Sequence, residues 1–236
     1  MVAKYLEGAI FVEYQGTCGA NRYDPCTPLE LINANAQGLS YDTKFLSFVE
    51  INKTLHEIAP GIAENKVPVL LIQDGEAVQE SYEIAKYLDR HFPEPSLLHN
   101  QEGVHRYLTA HIETEIAPLI SKMVGLKVHG NLDDDNKKYY RSSREARYKD
   151  TIENFAGDQE ENFRNLVQKF QLIDRMLDQF VWISGSELGW ADIVTASWLI
   201  FLESFQPERY SQLLDKYPNA ANWQKKMNQY KQTNNQ

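Results

Sequence analysis

Residues 67–91, VPVLLIQDGEAVQESYEIAKYLDRH, hold the side chains and backbone positions with the clearest chemical use. Pro68 follows Val67 at the head of an apolar run, where a proline's missing N–H is tolerated. By pattern alone, a trans proline opening a strand is the commoner case. A cis bond would instead bend the chain and turn the N–H and C=O of Val67 outward. Those two groups could then clamp an extended peptide as a short added strand. Glu80 and Ser81 stand directly before a helical run. Ser81 reads as an N-cap, its hydroxyl satisfying a free helix N–H while Glu80 adds favourable charge. The same pair could seat a ligand, with the N–H groups and the Ser81 hydroxyl taking a carboxylate and Glu80 a neighbouring ammonium. An amino-acid end, carrying both charges on one carbon, suits that arrangement.

A second group is aromatic and basic: Tyr139, Tyr140, Arg141, Arg144 and Arg147. Its plain reading is a solvated helix face with pairs such as Arg141–Glu145. His105, His111 and His129 have no second ligand nearby in sequence and read as ordinary histidines. Cys18 and Cys26 fit no zinc spacing, so no metal site is expected, and both thiols read as reduced.

The elements that position these residues follow from periodicity and punctuation. A strand is expected over 8–14, then an irregular loop, GTCGANRYDPCTP, and a short helix through Leu29, Ile32 and Ala36 with Gly38 as its stop. Residues 41–50 alternate as a second strand, and 51–65 read as a short helix and a loop. Val67 to Ile72 is a strand, Asp74-Gly75 a hairpin turn, 77–79 a return strand and 81–91 a helix. HFPEPSLLHNQ, 91–101, reads as a linker. Beyond it the pattern is helical: 102–125, a polar break over 126–137, then 137–149, 159–179 and a mostly apolar 190–205. Trp182, Trp190 and Trp198 read as core. The layout is an α/β unit over 1–95 and an all-helical unit over 102–236.

The chain has 236 residues, 42% of them hydrophobic, and a net charge of −9. Such acidity argues against a nucleic-acid partner, which needs a basic surface. No run reaches the roughly 18 apolar residues a membrane span needs. The N-terminus does not read as a signal peptide, so a cytoplasmic location is expected.

Val67-Pro68, then Glu80-Ser81 before a helix ending in YLD, closely resembles the glutathione transferase superfamily. LGWADIVTASWLIFLE, 188–203, is similar to that family's buried helical motif around an aspartate, here Asp192. YYRSSREARYKDTIENFAG, 139–157, resembles the fungal and bacterial etherase-like branch. The resemblance implies a thioredoxin-like α/β domain with a mixed sheet, followed by an all-α domain. It implies that Val67 bonds the cysteinyl part of glutathione through its backbone, that Pro68 is cis, and that Glu80 and Ser81 hold the γ-glutamyl end. It makes Lys66, Lys53 and His56 candidates for the glycyl carboxylate. It sets Tyr139, Tyr140 and Arg144 beside the electrophile and makes Asp192 structural. It also implies a homodimer. The family usually carries Ser or Thr three residues before the aspartate, as an N-cap. This chain has Gly189, which caps nearly as well.

At the first strand–helix junction the family places an activating Ser, Tyr or Cys. Aligning QGLSY, 37–41, with the branch puts Asp24-Pro25 there, and a second register puts Thr27-Pro28 there. A free thiol near pKa 8.5 needs donors or positive charge to become thiolate. An ionised Asp24 would oppose that. Tyr23, Cys26, Thr27 and backbone amides are the candidate donors. Cys26 could instead form a mixed disulfide with glutathione, or have no role. The leading expectation is conjugation of the glutathione thiolate to an apolar aromatic or unsaturated electrophile. Cis–trans isomerisation and aryl-ether cleavage use the same intermediate. A non-catalytic glutathione or ligand carrier is the rival class. The unusual loop favours a specialised biosynthetic role, as in fungal secondary metabolism, over general detoxification.

Overall fold

The computed structural model describes residues 4–14, 34–72 and 76–231. Strand β1 (Lys4–Tyr14) runs parallel to β2 (Leu39–Leu46) and antiparallel to β3 (Val69–Leu71), which pairs antiparallel with β4 (Ala77–Gln79). The order β2-β1-β3-β4 is the expected mixed sheet. Alternation along the strands divides the sheet into two faces. Phe11 and Leu70 point to one, where they meet Ala34, Leu39, and Ile84 and Leu88 of α2 (Ser81–His91). Val12 and Val69 point to the other, which Ile51 and Leu55 of α1 (Phe48–Ile58) cover. The Asp74-Gly75 turn lies outside the described residues, and so does the helix expected at 29–36 except its last turn.

The second strand ends earlier than the alternation suggests. Ser47 caps α1: its hydroxyl accepts from the Glu50 N–H, and Glu50 returns a carboxylate oxygen to the Ser47 N–H at 2.8 Å. This reciprocal pair starts the helix at Phe48 and overrides the strand-like pattern of 41–50.

The rest is helical: α3 (Glu102–His111), a π turn (Ile112–Ile116), α4 (Ala117–Asn131), α5 (Asp134–Tyr148), α6 (Ile152–Ala156), α7 (Gln159–Gln179), α8 (Trp190–Phe205), α9 (Pro207–Lys216) and α10 (Pro218–Met227). The π turn has a local cause. Pro118 has no N–H and would clash with the carbonyl of Thr114 in a regular helix. Widening the turn there keeps the rod continuous, with the Ala117 N–H reaching back to Ile112 O. The rod also passes through the polar stretch expected to break at 126. Val124, Val128 and Leu132 recur every four residues and are all buried. The break falls at Asp133, whose carboxylate accepts from the N–H groups of Asp135 and Asn136 and starts α5.

Asp192 is the polar centre of the helical domain. Its carboxylate is fully buried and accepts from the N–H groups of Ile183 (2.8 Å), Ser184 (3.1 Å) and Gly189 (3.1 Å), and from Trp223 Nε1 (2.7 Å). Trp190 is core as expected, Trp182 and Trp198 are half-buried against it, and Trp223 is the most deeply buried of the four.

The segment between α2 and α3 is firmly held. Asp89 accepts from Ser96 Oγ at 2.9 Å and Leu97 N–H at 2.6 Å, His99 Nε2 donates to Leu188 O at 2.9 Å, and Trp190 N–H donates to Leu97 O at 2.9 Å. His105 lies beneath this segment, 3% exposed, with no partner for Nδ1 among the described residues. The sequence, which reads it as an ordinary histidine, gives no sign of this burial. Burial lowers its pKa, His99 at a ring separation of 5.9 Å lowers it further, and Asp89 pulls it back up. A histidine kept neutral by the fold gains its proton more readily when unfolded. Stability should therefore fall as the pH drops below about 6.5, by at most about 1.4 kcal/mol per pH unit for this group. Urea midpoints between pH 7.5 and 5 test this, and the slope should be shallower in His105→Gln. An unchanged slope would mean that His105 is not responsible.

Candidate functional site

The site grows from the β3–β4 hairpin. Val69 pairs with Gln79, so Val67 and Ser81, two residues further along each side, lie at one end of it. The Val67–Pro68 peptide bond is cis. The sheet ladder begins at Val69, and no other main-chain group among the described residues uses the N–H or C=O of Val67. Both remain available to a ligand.

Across from Val67, the first residue flanking α2 is Glu80, at φ 75° and ψ 126°. Ser81 is therefore the first helical residue and not the cap the sequence suggests. Among the described residues no side chain caps this helix. The open first-turn N–H groups and the Ser81 hydroxyl, which bonds no described residue, form an anion seat. A glutamate held at positive φ is costly and needs surrounding structure to enforce it. Here the enforcing structure is the β4 ladder on one side and Ile84 N–H bonded to Glu80 O at 2.9 Å on the other.

Loop 64–66 joins α1 to this corner. Gln79 Nε2 donates to Glu64 O and to Lys66 O, both at 2.7 Å, and Asn65 Nδ2 reaches Asn52 O on α1 at 3.5 Å. Lys66 pairs with Glu64 at the surface. Lys53 and His56 are exposed on α1. Val67, Pro68, Glu80 and Ser81 are thus brought together, with Lys66 next to them along the loop. Tyr23, Cys26 and Thr27 lie outside the described residues.

The aromatic–basic cluster is on α5, where it meets the first turn of α1. Phe48 stacks on Tyr139 at 6.0 Å and lies 5.8 Å from Tyr140, and Arg144 covers both Phe48 (5.6 Å) and Tyr140 (4.9 Å). The Val49 N–H donates to Asn136 Oδ1 at 3.1 Å. Tyr140 is 7% exposed and packs between the two domains, while Tyr139 and Arg144 are half-buried beside it. Arg141 faces the other way, bonding Glu145 at 2.9 Å and Glu153 at 2.6 Å. That pairing holds the Glu153 carboxyl down at about 2. Sequence reasoning missed Gln79 and Phe48. A glutamine in a strand and a phenylalanine after a serine carry no local signal of these roles. Among the described residues no group of His, Cys, Asp and Glu side chains could hold a metal ion, and no helix is long and apolar enough to cross a membrane.

A mixed sheet with an uncapped helix at the cis-proline corner, followed by a helical domain built on a buried aspartate, defines a glutathione transferase architecture. The glutathione S-transferase C-terminal domain family matches residues 103–232, and the N-terminal domain family matches 34–96. The chain belongs to the glutathione S-transferase family. No curated protein matches it in sequence. Among solved structures it is similar to glutathione transferase GSTFuA2 from Phanerochaete chrysosporium, with a TM-score of 0.83, 18% identity, and coverage of 96% of this chain and 99% of that one. GSTFuA3 from the same fungus gives 0.81, 20%, 96% and 98%. The glutathione S-transferase CsGST63524 of Ceriporiopsis subvermispora, solved with glutathione, gives 0.76, 16%, 97% and 99%. At these identities the likeness is one of fold.

Proposed function

We propose that this protein binds glutathione at the Val67–Ser81 corner and joins its thiolate sulfur, still part of glutathione, to the carbon of an apolar electrophile lying between the domains. The observation that carries the reading is the open N-terminus of α2, with the Ser81 hydroxyl bonded to no described residue and the exposed Glu80 carboxylate beside it. The γ-glutamyl carboxylate sits on the α2 N–H groups and the Ser81 hydroxyl, and its ammonium meets Glu80. The cysteinyl backbone pairs with Val67, and the glycyl carboxylate faces Lys66, with Lys53 and His56 on α1 nearby. This binding orients the thiol and fixes where its charge develops. A hydroxyl, thiol or amide from the Tyr23, Cys26 and Thr27 segment donates to the sulfur and raises the thiolate fraction. The thiolate then attacks carbon, and the bond electrons leave with the displaced group or move into a conjugated system.

Calorimetry with glutathione tests the binding step. Wild type should bind, and Ser81→Ala and Glu80→Gln should each bind at least tenfold more weakly, since the first removes a hydrogen bond to the carboxylate and the second removes the charge that faces the ammonium. If wild type takes up no glutathione at millimolar concentration, the proposal fails. Turnover with an activated aromatic halide tests the transfer step.

A further inference from the structure

We propose that Gln79 is a positioning residue for this site, a splint that fixes the Val67 edge of the glutathione cradle relative to the Ser81 edge. The inference rests on the function proposed above and adds to it a residue that touches no ligand. Gln79 directly precedes Glu80, and Lys66, which its side chain holds, directly precedes Val67. One carboxamide therefore links the two halves of the site. Its Nε2 gives both hydrogens, to Glu64 O and Lys66 O at 2.7 Å each, and its Oε1 accepts from the Glu64 N–H at 3.4 Å. The other ties on the loop are weaker or local. The Asn65–Asn52 bond is at the distance limit, Lys66 N–H to Glu64 O closes only a three-residue turn, and the Lys66–Glu64 ion pair is exposed.

The geometry also explains why glutamine stands there. The main chain of Gln79 is already committed to the ladder opposite Val69, so only a side chain can reach back to 64–66. Two carbonyl oxygens must be satisfied together, and among the uncharged side chains of this length only an amide offers two N–H donors. A carboxylate at the same place would face those oxygens with like partial charge. Asparagine is one methylene too short.

The test uses the full chain with Gln79→Glu and Gln79→Leu, read in two ways. Hydrogen exchange without ligand should be about tenfold faster at the Glu64, Asn65 and Lys66 amides in both variants, while the α8 amides exchange as in wild type. Glutathione affinity should drop about tenfold in Gln79→Glu at pH 7.5. In steady state the KM for glutathione should rise, with kcat and the KM for the electrophile little changed. The Gln79→Glu deficit, taken relative to wild type, should shrink towards pH 5 as the carboxyl regains a donatable proton, whereas the Gln79→Leu deficit should not. Unchanged exchange at 64–66 in both variants would overturn the proposal, as would wild-type affinity for glutathione in Gln79→Glu. If wild type binds no glutathione while the 64–66 amides still exchange faster in the variants, the functional reading falls and the splint remains.

Discussion

Asp192→Ala is expected to destabilise the protein by about 3–5 kcal/mol, the scale found when one side of a buried charged network is removed. The substitution strands three backbone N–H groups and the Trp223 indole N–H in a place water does not reach. Each unsatisfied buried donor costs on the order of 1–3 kcal/mol, and local relaxation recovers part of the total. The effect is large because Asp192 joins separate pieces of chain: the 183–184 loop, the start of α8, and α10 through Trp223. Burial pushes its carboxyl up, and the Ser184 hydroxyl, the Trp223 indole and the Gly189 and Ile183 N–H groups pull it back. Asp192→Asn should be milder, since it keeps one acceptor oxygen and the shape. Urea denaturation followed by tryptophan fluorescence measures both. An Asp192→Ala midpoint equivalent to less than about 1 kcal/mol would show that the network is not structural. Because the proposed glutathione corner lies in the other domain, native Asp192→Asn protein should keep wild-type glutathione affinity.

The parts of this molecule legible in the sequence are those fixed by neighbours in the chain. The apolar run after Pro68 and the apolar stripe of α2 are local, and they located β3, β4 and the helix that follows, with β3 confined to Val69–Leu71. The 3.6-residue periodicity of 159–179 and the apolar run of 190–205 did the same for α7 and α8. Errors arose where two local signals competed. Residues 41–50 alternate like a strand, yet Ser47 and Glu50 make a capping box, and two reciprocal hydrogen bonds at a helix start outweigh alternation at an exposed edge. The polar residues of 126–131 suggested a break, but the buried positions every four residues carried the helix on.

The site was legible in its residue types and less so in its geometry. Glu80 and Ser81 were identified, yet their roles at the helix start differ from the expected ones. A serine before a helix usually caps it, but here the backbone turns one residue earlier, and the glutamate takes a positive φ. That shift leaves the serine hydroxyl without a partner among the described residues. Contacts between distant segments, such as Gln79 with 64–66 or Phe48 with α5, have no sequence signature, because they depend on how the hairpin and the two domains meet.

Gly189→Ser, which would give this chain the residue the family usually carries at the cap, is expected to destabilise it by about 1–3 kcal/mol. Capping statistics alone forecast the opposite, since serine caps at least as well as glycine. The local volume decides. A Cβ built on Gly189 would lie 2.6 Å from His105 Cε1, 2.6 Å from Ser184 Oγ and 2.7 Å from Ser184 Cβ. His105 is buried and cannot swing into solvent, and Ser184 is held through its own N–H to Asp192. At φ −141° the backbone itself would accept any residue, so the constraint is the occupied space and not the conformation. The buried imidazole and the Ser184 side chain occupy the room that a capping side chain needs. In a His105→Ala background the same Gly189→Ser change should cost at least about 1 kcal/mol less, a coupling within the range that contacting residues show. Urea midpoints of the four proteins in the cycle give that value. A neutral or stabilising Gly189→Ser would mean that the glycine is only a substitute cap. A cost that persists unchanged without His105 would assign the constraint to Ser184 alone.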